Sequence, residues 1–147
     1  MYGESDIISI EKSLRYIAGR VRANGREILK DHDISPLQFV ALQWVGDKEG
    51  ITIGKLASHM YLAHSTTTDI VDKLERANFV KRVRSDTDKR QVLVIMESRG
   101  KSLIQKVIDK RVAYIAEITA NLEESDRVIL PRVLEEVLRE SGRLIND

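Results

Sequence analysis

Four hydroxyl side chains in a row, Ser65, Thr66, Thr67 and Thr68, open a helical pattern that runs on as DIVDKLERA. Threonine is a mediocre helix former, because its branched Cβ restricts χ1. Capping a helix uses one such residue, not four. On a helix starting near His64, the spacing turns Thr67 inward with Ile70, Val71 and Leu74. Ser65, Thr68, Asp69, Asp72 and Arg76 fall on the opposite side, with Thr66 and Lys73 on the flank. A first turn surfaced with short donors, acceptors and methyl groups suits base edges in a DNA major groove, and His64 can join them. The open backbone N–H groups of that turn suit a phosphate. Asp69 fits poorly beside phosphate. It can accept from cytosine N4, or pair with Lys73 one turn on.

A second set follows in SDTDKR, where Arg84, Asp86, Asp88, Lys89 and Arg90 surround a tight turn. An arginine on a β-loop can enter a narrow, negative minor groove while a neighbouring carboxylate holds it extended. Asp88 and Arg90 have that spacing, and Lys73, Arg84 and Lys89 suit phosphates. The stretch Lys73–Arg90 holds seven basic residues and three acids, a net +4, whereas Glu117–Asp147 holds four arginines and eight acids, a net −4. The whole chain carries only +1. Such a distribution points to one face for a polyanion; the alternative is an ordinary solvated surface with a polar hairpin tip.

The elements around these residues read as mostly α-helical with one small β-hairpin. Ile7, Ile10, Leu14, Ile17, Val21 and Ile28 repeat at three and four, with Asn24 filling the one gap, predicting an amphipathic helix over about Asp6–Lys30. Ser35, Pro36 and Gln38 form a capping box that starts a helix over about Pro36–Gly46, with Leu37, Val40, Ala41, Trp44 and Val45 inward. Thr52 caps a short helix, Ile53–Met60, with Ile53, Leu56 and Ala57 inward, and Tyr61–Ala63 connects it to the helix His64–Ala77. Two short helices with a tight connection make a helix-turn-helix candidate. The period then changes, and Val80–Arg84 with Gln91–Met96 reads as a hairpin, the wing of a winged helix. A long helix from about Ser98 carries Ile104, Ile108, Val112, Ile115, Ile118 and Leu122 on one side. The last runs over about Glu124–Leu144, with Val128, Leu134, Val137 and Leu138 inward; Pro131 either kinks it or marks its true start. These long stripes must be covered, and a second copy of the chain is the economical partner.

Other chemistries find little support. With 147 residues, 42% hydrophobic and 32% charged, the composition is that of an ordinary globular chain. It contains no cysteine, which excludes disulfides and thiolate metal sites and fits a reducing cytoplasm. No stretch without a formal charge is longer than Ile34–Gly46, which is too short for a membrane span, and the N-terminus does not read as a signal peptide. His59 and His64 straddle a helix junction and do not share a face as zinc ligands would. No Ser-His-Asp set, glycine-rich phosphate loop or paired carboxylates suggests an enzyme. No cofactor and no metal are expected.

The run GITIGKLASHMYLAHSTTTDIVDKLERANFVKRVRSDTDKRQVLVIMESRG, with ISPLQFVAL upstream, resembles the core of the MarR family of bacterial transcriptional regulators. The resemblance covers roughly residues 34–100 and includes the Asp-x-Arg of the wing at Asp88–Lys89–Arg90. It implies a winged helix-turn-helix, residues 35–100, and a helical dimerisation region, residues 1–34 and 101–147. It also implies a cytoplasmic homodimer on a pseudo-palindromic double-stranded operator, a repressor or an activator with the repressor expected, and in many members of the family a small-molecule effector that lowers affinity. The DNA-binding set would be His64, Ser65, Thr66, Thr68, Asp69, Lys73, Arg84, Asp88, Lys89 and Arg90. The effector would lie between the dimerisation helices and the winged helix; Tyr16, His32, Trp44 and Met60 read as packed core rather than as its lining. The chain departs from the family where Ala63 replaces the small polar cap, Asn78 the usual glycine, and Met96–Glu97 the usual Leu-Thr, leaving Ser98 to cap. A winged helix that binds only proteins is the alternative.

Overall fold

A computed structural model describes residues 2–145. The order is α1 (Glu4–Arg26), a 3-10 turn (Glu27–Asp31), α2 (Pro36–Gly46), α3 (Ile53–Met60), α4 (His64–Arg76), β1 (Val80–Arg84), β2 (Val92–Met96), α5 (Ser98–Thr119) and α6 (Glu124–Ile145). Mostly helical with one hairpin, it is a winged helix-turn-helix flanked by long helices. The chain divides into two compact units, Met1–Arg111 and Val112–Asp147.

In the first unit, local chemistry sets each boundary. Ser35 Oγ accepts from Gln38 N–H at 3.1 Å while Ser35 N–H donates to Gln38 Oε1 at 3.1 Å, the expected capping box. Thr52 Oγ1 accepts from Lys55 N–H at 3.2 Å and starts α3. α4 begins after Ala63 with no side-chain cap. α1 stops at Arg26 and tightens into the 3-10 turn instead of continuing to Lys30. Asn24 and Gly25 are weak helix formers in its last turn, where a 3-10 ending is common.

The core gathers Leu42 and Val45 of α2, Leu56 of α3, Val71 and Leu74 of α4, Phe79, Val80 and Val94 of the hairpin, and Leu103 and Val107 of α5. The buried face of α2 is Phe39, Ala41, Leu42 and Val45; Leu37 is exposed, and Val40 and Trp44 are half-buried. This corrects the expected face, and its cause is that LQFVALQWV is apolar almost all round, so periodicity cannot orient it. β1 and β2 pair antiparallel with Val80 opposite Met96 and Arg84 opposite Val92. Gln91 lies outside the strand and closes the loop, its C=O accepting from Ser85 N–H at 3.0 Å. Ile51 bridges to Val94 as a one-residue third strand.

The second unit consists of the end of α5 and α6. α6 runs unbroken through Pro131, so it starts at Glu124 rather than at the proline. Val128, Leu134, Val137 and Leu138, expected inward, are 71%, 46%, 48% and 72% exposed, as no other part of this unit covers them. Ile7, Leu14 and Ile17 on α1 are likewise exposed within the single chain. Among the described residues no helix is long and apolar enough to cross a membrane.

Candidate nucleic-acid interface

The inner face of α4 is buried as the spacing predicts, through Thr67, Ile70, Val71 and Leu74. Thr67 is fully enclosed, and its hydroxyl donates to Ala63 C=O at 2.9 Å, so no polar group is stranded. Thr68 Oγ1 donates to His64 C=O at 3.0 Å, leaving its lone pairs and methyl for a partner. The other two hydroxyls, on Ser65 and Thr66, are exposed and unbonded among the described residues, as is the His64 ring. The uncapped first turn leaves backbone N–H groups open beside them, and it contains no acid. Asp69 and Lys73 are both exposed and form no ion pair with each other. The structure therefore brings His64, Ser65, Thr66 and Thr68 together at one helix end and leaves Asp69 and Lys73 free along the same helix.

The wing is held by its own backbone. Gln91 N–H donates to Asp88 C=O at 2.9 Å, and Asp88 N–H to Ser85 Oγ at 3.3 Å. Asp88 Oδ1 accepts from Arg90 N–H at 3.1 Å and lies 3.6 Å from Arg90 Nε. The Arg90 side chain is nonetheless 94% exposed, an arginine steered at its base and free at its tip. Arg84 Nη1 donates to Lys89 C=O at 2.8 Å, so this guanidinium braces the loop as well as facing solvent.

The two sets are joined by a residue that sequence reading counts only as one more basic charge. Arg82 on β1 donates from Nη1 to Glu75 Oε1 and from Nη2 to Asp72 Oδ1, each at 2.7 Å. Its backbone N–H donates to Glu75 Oε2 at 2.9 Å. Both acids lie on α4, three apart, so they share a face, and that spacing opposite a strand arginine is the signal that could have found the clamp. Charge-assisted bonds of this kind resist bending better than a single contact. The strand leading into the wing is thus tied to the helix carrying the hydroxyls.

Away from this face, a cleft of about 560 Å³ opens beside α2, β2 and α5, lined by Phe39, Gln43, Met96, Ile104, Ile108 and Arg111, with Lys48 and Lys101 and the acids Asp47 and Glu49 also on its wall. An adjoining hollow adds Arg22 and Arg26. Burial, with Arg22 and Arg26 close by, lowers the pKa of Arg111. Its Nε–H has no acceptor among the described residues. Tyr16, His32, Trp44 and Met60 do not line the cleft; Tyr16 is not packed core either, being 49% exposed on α1. Trp44 stacks on His59 with ring centroids 4.5 Å apart, and both Trp44 and Met60 pack on the core.

Comparison with known proteins matches this geometry. The model of the MarR family fits residues 34–92. The HTH-type transcriptional regulator YsmB of Bacillus subtilis is 39% identical over 137 residues, covering 93% of this chain and 94% of that one. A MarR family protein from Bacillus stearothermophilus is 38% identical with a TM-score of 0.78, over 97% of this chain and 99% of that one. The transcriptional regulator Tm0710 from Thermotoga maritima superposes with a TM-score of 0.86 at 29% identity, over 95% and 98% of the two chains.

Proposed function

The chain belongs to the MarR family, and from that premise we propose that it is a sequence-specific DNA-binding transcriptional regulator, a repressor acting as a homodimer on a pseudo-palindromic operator. The observation that carries this reading is the joined pair of surfaces: exposed Ser65 and Thr66 on α4, bonded through Arg82 to a wing that projects Arg90. α4 enters the major groove with His64, Ser65, Thr66, Thr68 and Asp69 toward base edges. Lys73, Arg84 and Lys89 hold phosphates, and Arg90, steered by Asp88, enters the flanking minor groove.

Residues 1–34 and 101–147 form the dimerisation region. In support, Ile7, Leu14, Ile17, Val112, Ile115 and Ile118 are large apolar side chains exposed in the single chain, and monomers rarely leave such stripes bare. Two-fold symmetry then sets the half-sites about one helical turn, roughly 34–36 Å, apart. A small-molecule effector enters the cleft at Arg111, where apolar walls and an unpaired cation suit an organic anion. It acts by binding one spacing of the two recognition helices better than the other.

The test is a nuclease footprint on the DNA upstream of the protein's own gene, with the mass of the bound species measured by light scattering. A dimer protecting two inverted half-sites one turn apart is the expected result. A monomeric footprint, or protection without symmetry, would refute the homodimer.

A further inference from the structure

The chain ends two helices with the same backbone device, and fills the key position very differently in each. After α4, Phe79 N–H donates to Leu74 C=O at 2.9 Å and Asn78 N–H to Glu75 C=O at 3.0 Å. After α3, Leu62 N–H donates to Ala57 C=O at 3.0 Å and Tyr61 N–H to Ser58 C=O at 3.3 Å. Both are Schellman endings, which need one residue in the left-handed region. Asn78 takes it at φ 65, and Asp33 adopts a similar backbone at φ 51; short Asn and Asp side chains tolerate this. At the end of α3 the residue is Tyr61, at φ 56 and ψ 40. A tyrosine there sets its Cβ against the following carbonyl, a steric cost that glycine would avoid.

The fold recovers nothing from the ring. Tyr61 is 96% exposed, and among the described residues it makes no side-chain hydrogen bond and no ring contact. The apolar contact that completes such an ending comes from Leu62, which packs on the core. An exposed aromatic on strained backbone, with no intramolecular return, indicates a partner outside the chain. Its place says which. Tyr61 lies three residues before His64, on the connection that delivers α4 to the face carrying Ser65 and Thr66. In a docked helix-turn-helix the second helix lies in the major groove while the first crosses the backbone, so the connection between them runs beside the phosphates at the groove's rim. A phenol O–H is a phosphate donor that adds no charge.

We propose that Tyr61 is a DNA-backbone contact: its hydroxyl donates to a phosphate oxygen at the rim of the major groove and fixes how α4 enters. The proposal rests on the DNA-binding reading above and adds a residue to it.

The experiment compares wild type, Tyr61→Gly and Tyr61→Phe for thermal stability, and for affinity to a short random-sequence duplex and to the upstream DNA over a range of salt. Tyr61→Gly should melt higher than wild type, because the left-handed strain is gone, and yet bind both DNAs about tenfold more weakly. Tyr61→Phe should keep the wild-type melting point and show most of that loss. Neither should change the slope of affinity against salt, since no charge is removed. Tyr61→Gly binding as tightly as wild type would overturn the proposal while leaving the DNA-binding reading intact. So would a drop in melting temperature in Tyr61→Gly, which would give the ring a structural role. Wild type that fails to bind either duplex at low salt would overturn both.

Discussion

Arg82 Nη2 on β1 stands 2.7 Å from Asp72 Oδ1 on α4, and this bond, doubled by the one to Glu75, ties α4 to the strand that leads into the wing. The arginine is three-quarters covered, whereas the acids are 44% and 39% exposed. Water therefore screens part of the attraction.

Arg82→Ala should destabilise the protein by roughly 1–2 kcal/mol in urea melts, the low end for charge-assisted bonds at half-exposed acids. DNA affinity should fall by roughly tenfold, because ordering the wing then becomes a cost of binding. Arg82→Lys should not restore either property, since an ammonium cannot span both carboxylates with a planar fork. Full rescue by lysine would show that charge alone matters there.

Ser65 and Thr66 contribute nothing to the fold through their hydroxyls, which are exposed and unbonded. Ser65→Ala and Thr66→Ala should therefore melt like wild type. Each should lower the preference for operator over random DNA by about 1–3 kcal/mol where its hydroxyl reads a base. Competition binding measures this, and equal losses on both DNAs would move these residues from base reading to phosphate holding.

Arg111 is a half-buried cation with two arginines for neighbours and no acceptor for its Nε–H. Arg111→Met should stabilise the protein in urea by on the order of 1 kcal/mol, since an unpaired charge is replaced by an apolar chain of similar length. An organic anion that raises the melting temperature of wild type should lose that effect in the variant. Destabilisation by Arg111→Met would mean that the guanidinium has a partner in the assembled protein.

Much of this architecture is legible in the amino-acid order. The capping box at Ser35 and Gln38, the inward face of α4 and the hairpin follow from local rules whose partners lie within a few residues. The failures share one cause, which is that the deciding partner is distant or absent. α2 is apolar on nearly every side, so only its neighbours select Phe39 and Leu42 over Leu37. Arg82 looks like solvated charge until β1 folds back along α4. The one-residue strand at Ile51 has no period to detect. Tyr61 reads as plain connection, because nothing in its type announces a left-handed backbone. The stripes on α1 and α6 are apolar as expected, but their side chains are exposed in the single chain, where nothing in the amino-acid order says what covers them.

The most direct test of the account is binding of the purified protein to its own upstream DNA, for wild type and Arg90→Ala, at two salt concentrations. Wild-type affinity should fall steeply as salt rises, and Arg90→Ala should bind more weakly with a salt slope shallower by about one. Absence of wild-type binding, or salt-dependent binding indifferent to Arg90, would contradict the assignment of the wing to DNA.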